Sequence, residues 1–266
     1  MSLSQSERSY ILKGVSKGVR HDGRSPHEPR RLVITHADVP FSSGSARASL
    51  GLGGTNVLAI IKADLSSCSA TGGGTLECAA QIHASADADA RATSDGGPEL
   101  AASILRILSA PGVLDLSSLI VQPNVWAWRI SIDIVVLLDD GSLLDTAIAA
   151  VHAALRATRV PSLRVIKTEG GSELELNDDP GAAQMLPFIN SLPVTVTLHL
   201  LSGRSIVDAT HTEALCAEGT ITVGVKSNDS IVYFIAQGME GMQPHALHEA
   251  ILAAPKLAQR TFKLLN

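Results

Sequence analysis

The sequence predicts an α+β fold made of two β-rich halves, each with helices packed on a mixed sheet. In both halves, strand-like runs separated by Gly and Ser clusters come before the helical segments, so strands and helices are grouped rather than alternating singly. The 266 residues are 45% apolar but only 3% aromatic, which predicts a core of aliphatic and small side chains. This length fits one large domain or two small ones, and we place the subdomains at 1–190 and 191–266.

The first subdomain is expected to open with a short helix and to continue as a sheet. Ser4 and Glu7 form a capping box, and Gly18 supplies the stop. Four strand-like segments follow between Arg31 and Ser85, and the Gly and Ser clusters between them predict hairpin turns. These segments read RLVITHAD, SARASL, TNVLAIIKADL and TLECAAQIHAS.

A second group of elements completes this subdomain. Pro98 opens a helix, and a long strand is predicted from Trp126 to Leu138. Apolar residues then recur at helical spacing between Leu144 and Leu155. A short strand at Leu163 to Lys167 precedes a polar segment, Gly170 to Gly181, whose Asp, Glu, Asn and Gly content predicts a loop.

The second subdomain is predicted to hold strands followed by a final helix. The strands are VTVTLHL, TITVGVK and IVYFIAQ. The helix runs from His245 to Leu265 and contains Pro255, so we expect it to kink there or to break in two.

Charge and cysteine usage exclude several protein classes. The net charge of -5 and the pI of about 6.0 argue against a free-standing nucleic-acid binder, whose pI usually exceeds about 9. Cys68, Cys78 and Cys216 form no C-x-x-C pair, which fits a reducing compartment, and the first two, bracketing a predicted hairpin, are interpreted as small core residues. The N-terminus lacks the apolar region of a secretory signal, and no apolar run reaches 18 residues. We therefore expect an intracellular protein without a membrane span.

Local motifs for metal or phosphate binding are weak. The glycine-rich stretches 51–54 and 72–74 lead into strands rather than helix N-termini, so we interpret both as turns. His245 and His248 could present two metal ligands on a helix, but a solvated face is the favoured alternative because no third ligand accompanies them. The acidic pair at Asp178 and Asp179 is interpreted as part of a loop.

Longer motifs carry a resemblance to a known family. In order and spacing, the sequence resembles the RNase PH family from about Tyr10 to the C-terminus, and within it the ring subunits of the eukaryotic RNA exosome. The resemblance implies an RNase PH-like fold, which agrees with the two halves inferred above. The segments that carry it are HDGR (21–24), SGSAR (43–47), LLDDGSLLDTAIAAVHAAL (137–155), ELNDDP (175–180), VDATHTEALCAEGTITVGV (207–225) and IAQGMEG (235–241).

The resemblance also implies a site that can be checked residue by residue. Active members hold phosphate with a Gly-Thr/Ser-Arg turn at a helix start and use two aspartates six residues apart. Here Leu144 stands at the Arg position beside Asp145, whose charge would repel phosphate. Ala214 and Thr220 stand at the two Asp positions, and neither ligates a divalent metal as a carboxylate does.

The expected protein is therefore a non-catalytic subunit without cofactor or metal. Glu213 and Glu218 lie near the two lost positions, but their offset points the carboxylates elsewhere. The alternative, an active phosphate-dependent exoribonuclease that degrades RNA from the 3′ end, stays open at this stage.

The resemblance implies partners as well. These are other RNase PH-like subunits in a six-membered ring, S1/KH-type RNA-binding cap proteins, a separate hydrolytic exoribonuclease and single-stranded RNA. The implied location is the nucleus, nucleolus and cytoplasm. Lys62 and Arg91 are our candidates for RNA contact, with a loop salt bridge as the alternative for Arg91. Trp126 and Trp128, which share a strand face, are interpreted as core or interface residues.

Overall fold

A computed structural model describes residues 3–67, 73–83, 96–168, 171–177, 179–238 and 244–265. Its helices are α1 (Gln5–Ser16), α2 (Gly96–Leu108), α3 (Leu143–Ala157), α4 (His211–Ala214) and α5 (Pro244–Leu265). Its strands are β1 (Leu32–His36), β2 (Gly44–Leu50), β3 (Asn56–Ser67), β4 (Thr75–Ile82), β5 (Ile120–Gln122), β6 (Trp126–Leu138), β7 (Arg159–Val160), β8 (Leu163–Thr168), β9 (Gly171–Leu176), β10 (Gln184–Met185), β11 (Val194–Leu201), β12 (Arg204–Val207), β13 (Gly219–Val225) and β14 (Ile231–Gly238). The α+β class and the capping box at Ser4 and Glu7 are confirmed.

The first sheet has the order β1-β2-β3-β6-β4, with β5 paired to β6. β6 is antiparallel to β3 along its whole length, from Asn56 opposite Leu138 to Ser67 opposite Trp126, and β4 then adds to β6 in parallel. The predicted hairpin between β3 and β4 is therefore wrong, because the long β6 occupies the edge that β4 would need. Cys78 lies half-buried against the core on β4, whereas Cys68 lies outside the described residues.

The polar segment after Leu163 is not all loop. Residues 171–176 form β9, which pairs with β8 in a two-stranded hairpin. The sequence GSELEL alternates Leu174 and Leu176 with acidic residues, and this period of two is the strand pattern that its acidic composition concealed.

The second sheet has the order β12-β11-β13-β14, and α5 packs on β11 and β13. The helix continues through Pro255 and is not broken in two. A missing hydrogen bond at proline is offset by the buried stripe of Ala250, Ala254 and Ala258, whose small side chains let the helix lie close to the sheet. None of the helices among the described residues is long and apolar enough to cross a membrane.

Helix α3 is buried on every side. Residues 146–155 are all buried, although the sequence predicted only one apolar face. The helix packs against β2 and β3 of the first sheet and against β11 of the second. One hydrophobic cluster consequently spans both halves, and the division at residue 190 stays a prediction.

The N-terminal helix belongs in space with the second half. Val15 of α1 is buried with Leu201, Ile206, Ala209 and Cys216 in a smaller cluster. The chain then runs back across the molecule to β1, so residues 17–31 form a strap between the halves.

His152 lies at the centre of α3, only 4% exposed. Its Nδ1 donates to the carbonyl of Pro193 at 3.3 Å, and its ring meets Phe262 edge-on at 5.9 Å between centroids. Burial lowers the pKa of His152 to about 4. Between about pH 6.5 and pH 4 the unfolded chain therefore binds a proton at this position that the folded chain does not, and stability falls as the pH falls.

Replacing His152 by Gln should flatten that dependence. Wild-type stability should drop between pH 6.5 and pH 4 by up to about 3 kcal/mol more than that of His152→Gln, measured by urea unfolding at several pH values. His245→Gln, on the exposed first turn of α5, is the matched control and should follow wild type. If the stability of wild type and of His152→Gln changed equally with pH, the lowered pKa of His152 would be contradicted.

Candidate functional site

The first motif, HDGR, lies on the strap that crosses the second half. Asp22 and Arg24 bind each other, with Arg24 Nε donating to Asp22 Oδ2 at 2.7 Å. Arg24 Nη1 reaches across to Asp208 Oδ2 at 2.8 Å. The HDGR motif thus joins the strap to the segment VDAT (207–210), and its charged side chains form a structural contact.

Arg20, directly before this motif, is the most deeply buried cation among the described residues. Its Nε donates to Glu213 Oε1 at 3.0 Å, and its Nη1 and Nη2 donate to the carbonyls of Val207 and Asp208 at 2.9 and 2.8 Å. Both side chains of the Arg20–Glu213 pair are 0% exposed. Burial opposes ionisation of Glu213, but the hydrogen bonds from Arg20 and the Thr210 N–H outweigh it, and the pKa of Glu213 is lowered.

Asp208 is the second anchor of this region. Its backbone is in the left-handed region at φ 51°, which places the carboxylate against Arg30 as well as Arg24. Arg30 donates to it from its backbone N at 2.6 Å and from Nη2 at 2.7 Å. Arg20, Arg24 and Arg30 together with Asp208 and Glu213 form a set that we call the arginine–carboxylate junction.

The turn that would hold phosphate packs against this junction. Gly141 has φ 86°, and a Cβ on it would stand 2.3 Å from the carbonyl oxygen of Ala209. Arg30 Nη1 donates to Asp140 Oδ2 at 2.9 Å. Arg30 is the cation beside this turn, and its charge is therefore already neutralised by Asp140 and Asp208.

The helix start after this turn offers no anion site. Leu144 packs partly buried against the main core. The Asp145 carboxylate accepts from the Thr197 backbone N at 2.8 Å and from the Thr197 hydroxyl at 2.9 Å, which ties α3 to β11. Burial raises the pKa of Asp145 against these hydrogen bonds, with the charge of Asp208 adding to the rise. The Asp145 carboxyl thus lies in the first turn of α3, and its burial favours the uncharged form.

The positions of the two lost aspartates are likewise uncharged. Ala214 lies in the one-turn helix α4 and packs against the smaller cluster around Val15. Thr220 lies on β13 opposite His199 and Gln237. His199 is buried, and desolvation lowers its pKa to about 4.

The two neighbouring glutamates lie in different surroundings. Glu213 is sealed in its pair with Arg20, and Glu218 is exposed and accepts from the backbone N of Ser202 at 3.2 Å. In the described part of the chain, no three His, Cys, Asp or Glu side chains are placed to hold a metal ion. His245 and His248 are both exposed at the start of α5.

Of the two candidates for RNA contact, Lys62 lies away from this turn. Lys62 is half exposed on the outer face of the first sheet, where its Nζ binds Asp133 Oδ2 at 3.0 Å. It is seven residues along the chain from Thr55, whose hydroxyl contacts Gly141 and Asp140, or roughly 23 Å of extended strand. Arg91 lies outside the described residues. Trp128 packs partly buried against the main core.

Two family models match the chain in sequence. Residues 28–161 match the 3′ exoribonuclease family, domain 1, and residues 191–256 match its domain 2. The chain belongs to the RNase PH family. The resemblance drawn from the motifs is thus confirmed, and the two matched segments cover the two sheets.

Relatives of this RNase PH chain are named as exosome components. The exosome complex component Rrp42 of Pyrobaculum aerophilum is 31% identical over 86% of this chain and 82% of its own. The exosome complex component Rrp42 of Thermococcus onnurineus is 29% identical over 84% and 81%. The exosome complex component RRP45A of Arabidopsis thaliana is 26% identical over 99% and 86%.

A solved structure described as an archaeal exosome core shows the same fold. It superposes with a TM-score of 0.80 at 25% identity, covering 98% of this RNase PH chain and 97% of the other. A second, described as an Archaeoglobus fulgidus exosome with RNA bound to the active site, gives a TM-score of 0.78 at 24% identity over 98% of both. At 24% identity, the similarity to this second structure shows a shared fold and nothing more.

Sequence reasoning missed the arginine–carboxylate junction. Asp208 and Arg24 appeared only as letters of two motifs, and Glu213 only as a possible substitute ligand. The available signal was the presence of an acidic residue in one motif and a basic residue in the other. The contact could not be inferred from this, because the partners are 184 residues apart.

Proposed function

We propose that this chain is a non-catalytic structural subunit of an RNA exosome ring. The observation that supports this most is the set of side chains at the family's site: Leu144 packs partly buried against the core, and Ala214 and Thr220 offer no carboxylate. The names of the relatives support membership of such a complex. The chain would help to form the channel through which RNA reaches processing and degradation, including ribosomal RNA maturation and messenger RNA decay.

Electrostatics support the absence of phosphorolysis. The reaction needs preorganised cations and N–H groups around an anionic nucleophile and a metal held by carboxylates. At the turn, Arg30 is engaged by two aspartates, and Asp145 takes the start of α3. Loss of even one preorganised group costs about 10²-fold in rate, so three losses remove useful activity.

The partners follow from the same proposal. They are RNase PH-like ring neighbours, S1/KH-type cap proteins and a separate hydrolytic exoribonuclease, in the nucleus, nucleolus and cytoplasm. Single-stranded RNA would meet individual cations such as Lys62 and Arg91 in place of a basic surface. Substituting both by Glu should weaken RNA binding by the assembled ring and reduce its salt slope, whereas an unchanged slope would remove them from the path.

The decisive experiment measures phosphate-dependent release of nucleoside diphosphates from single-stranded RNA. We expect no release by the purified chain, and no change in the rate of the assembled ring on Glu218→Gln, since this exposed carboxylate touches no metal in our proposal. A matched Glu175→Gln variant, on β9, controls for surface charge. Phosphate-dependent release that Glu218→Gln abolishes and Glu175→Gln spares would establish the active exoribonuclease instead.

A further inference from the structure

A groove runs along the outer edge of the first sheet. Two cavities, of about 490 and 300 Å³, lie end to end between β1 and the C-terminal half of α5. Ile34 and Leu264 stand in the walls of both, so the two cavities are neighbours along β1. We call the two together the β1 groove.

Strand β1 presents its free backbone edge to this groove. It is the outermost strand of the sheet, and its only ladder among the described residues is with β2. The carbonyl of Arg31 accepts from Gly51 N and the N–H of Ala37 donates to Ser45, both on the β2 side. Because outward and inward groups alternate along an antiparallel strand, the N–H and C=O groups of Leu32, Ile34 and His36 point away from β2.

These outward-facing residues line the groove. Leu32 and Ile34 border the larger cavity, and Ile34 and His36 border the smaller one. The larger cavity is bordered by every residue from Pro29 to Ile34 in turn. A strand that shows consecutive residues to a cavity faces it with its edge, since side chains of one face alternate with those of the other.

The charge of the groove is positive. Arg31 and Arg260 border the larger cavity, both are exposed, and neither forms an ion pair with a described residue. The two carboxylates in the wall are already engaged, Asp145 by Thr197 and Asp208 by Arg30. The remaining wall is largely apolar and includes Leu264, which is 54% exposed.

We infer that the β1 groove binds an extended acidic peptide segment of a partner protein, which adds to β1 as a further strand. Unpaired donors and acceptors spaced two residues apart match the backbone of a peptide strand. Acidic side chains on that strand would meet Arg31 and Arg260, and apolar ones would cover Leu264. A sugar–phosphate backbone lacks the alternating donors that the edge demands, so the geometry favours peptide over RNA.

The test uses the purified full-length chain and a fluorescein-labelled peptide, Asp-Val-Glu-Val-Asp-Val-Glu, followed by fluorescence anisotropy at low salt. Arg31→Glu and Arg260→Glu should each weaken binding about tenfold, because each reverses a contact charge. Lys13→Glu, on the exposed face of α1, is the matched charge control and should bind as wild type does. The same peptide N-methylated at every peptide bond should bind at least about tenfold more weakly, since neither of its edges can then donate hydrogen bonds to β1.

A backbone variant tests the edge itself. Ile34→Pro removes an outward N–H without removing a bond to β2, and proline is tolerated on edge strands. It should weaken the peptide about tenfold while thermal unfolding shows that the fold persists. If Ile34→Pro does not fold, the N-methylated peptide still decides the question.

Three results would overturn the inference. They are equal binding of the N-methylated and unmodified peptides, equal binding by the arginine variants and wild type, or displacement of the peptide by oligoadenylate with the same arginine dependence. The last would assign the groove to RNA. Because every arm uses the isolated chain, failure here leaves the proposed ring function untouched, and failure of that function leaves the groove open to a peptide.

Discussion

Replacing Arg20 by Met is expected to destabilise the folded chain by about 3–5 kcal/mol. The substitution leaves the Glu213 carboxylate, which is 0% exposed, without its partner, and also leaves the carbonyls of Val207 and Asp208 without the guanidinium. A buried charge without its counter-charge is far more costly than a missing surface contact. Urea unfolding at pH 7 measures the change.

An exposed ion pair supplies the control for this prediction. Lys62→Met breaks the pair with Asp133, whose side chain is 38% exposed, and should change stability by less than about 1 kcal/mol. The double variant Arg20→Met/Glu213→Gln should be more stable than the sum of the single effects, because removing both charges removes the uncompensated one. A loss below about 1 kcal/mol for Arg20→Met would show that the buried pair is not what holds the strap.

Replacing Gly141 by Ala is expected to have an effect of similar size, about 2–5 kcal/mol. Two costs add. The residue sits at φ 86°, where an alanine is strained, and its Cβ would lie 2.3 Å from the carbonyl oxygen of Ala209. The turn and the segment 209–211 would have to separate, which would disturb the packing of the start of α3 against the arginine–carboxylate junction.

A second glycine separates the two costs. Gly112 has φ 76°, but a Cβ added there would meet nothing within 4 Å, so Gly112→Ala carries the backbone strain alone, about 1–2 kcal/mol. The difference between the two variants in urea unfolding therefore measures the close approach at Gly141. Equal losses of stability for both variants would mean that the turn at Gly141 moves away from Ala209 without a cost in free energy, and that this packing contributes nothing.

Local patterns predicted many of the elements. The Ser4–Glu7 capping box, the strand at Trp126–Leu138 and the helix that follows Asp140 were each visible as a short-range signal, and each is confirmed. Strand β9 was concealed because its acidic composition outweighed its period of two. Of the two outcomes predicted at Pro255, the break in two does not occur, because burial of one helix face supports α5 through the missing hydrogen bond, and the kink stays a prediction.

In the candidate site, too, some residues could be predicted from local patterns and others could not. Leu144, Ala214 and Thr220 were predicted from the sequence to stand at the family's site, because a motif specifies which residue type each position should hold. The role of Glu213 was not, because its partner Arg20 is 193 residues away and nothing near either residue indicates the pairing. For the same reason the outward edge of β1 is known only from the strand order of the folded chain, and only the fold shows that Arg31 and Arg260 lie beside it without an ion pair to a described residue.

The sequence by itself determined the family and the α+β class, since these depend on the identity and spacing of nearby residues, and it predicted the residue types at the family's catalytic positions. Only the tertiary structure decided that β6 separates β3 from β4, that α3 is buried between two sheets and that the charged motifs bind each other. Those features arise because distant segments compete for the same strand edges and the same charged partners. A pattern of a few neighbouring residues does not indicate which of the competing segments forms the contact.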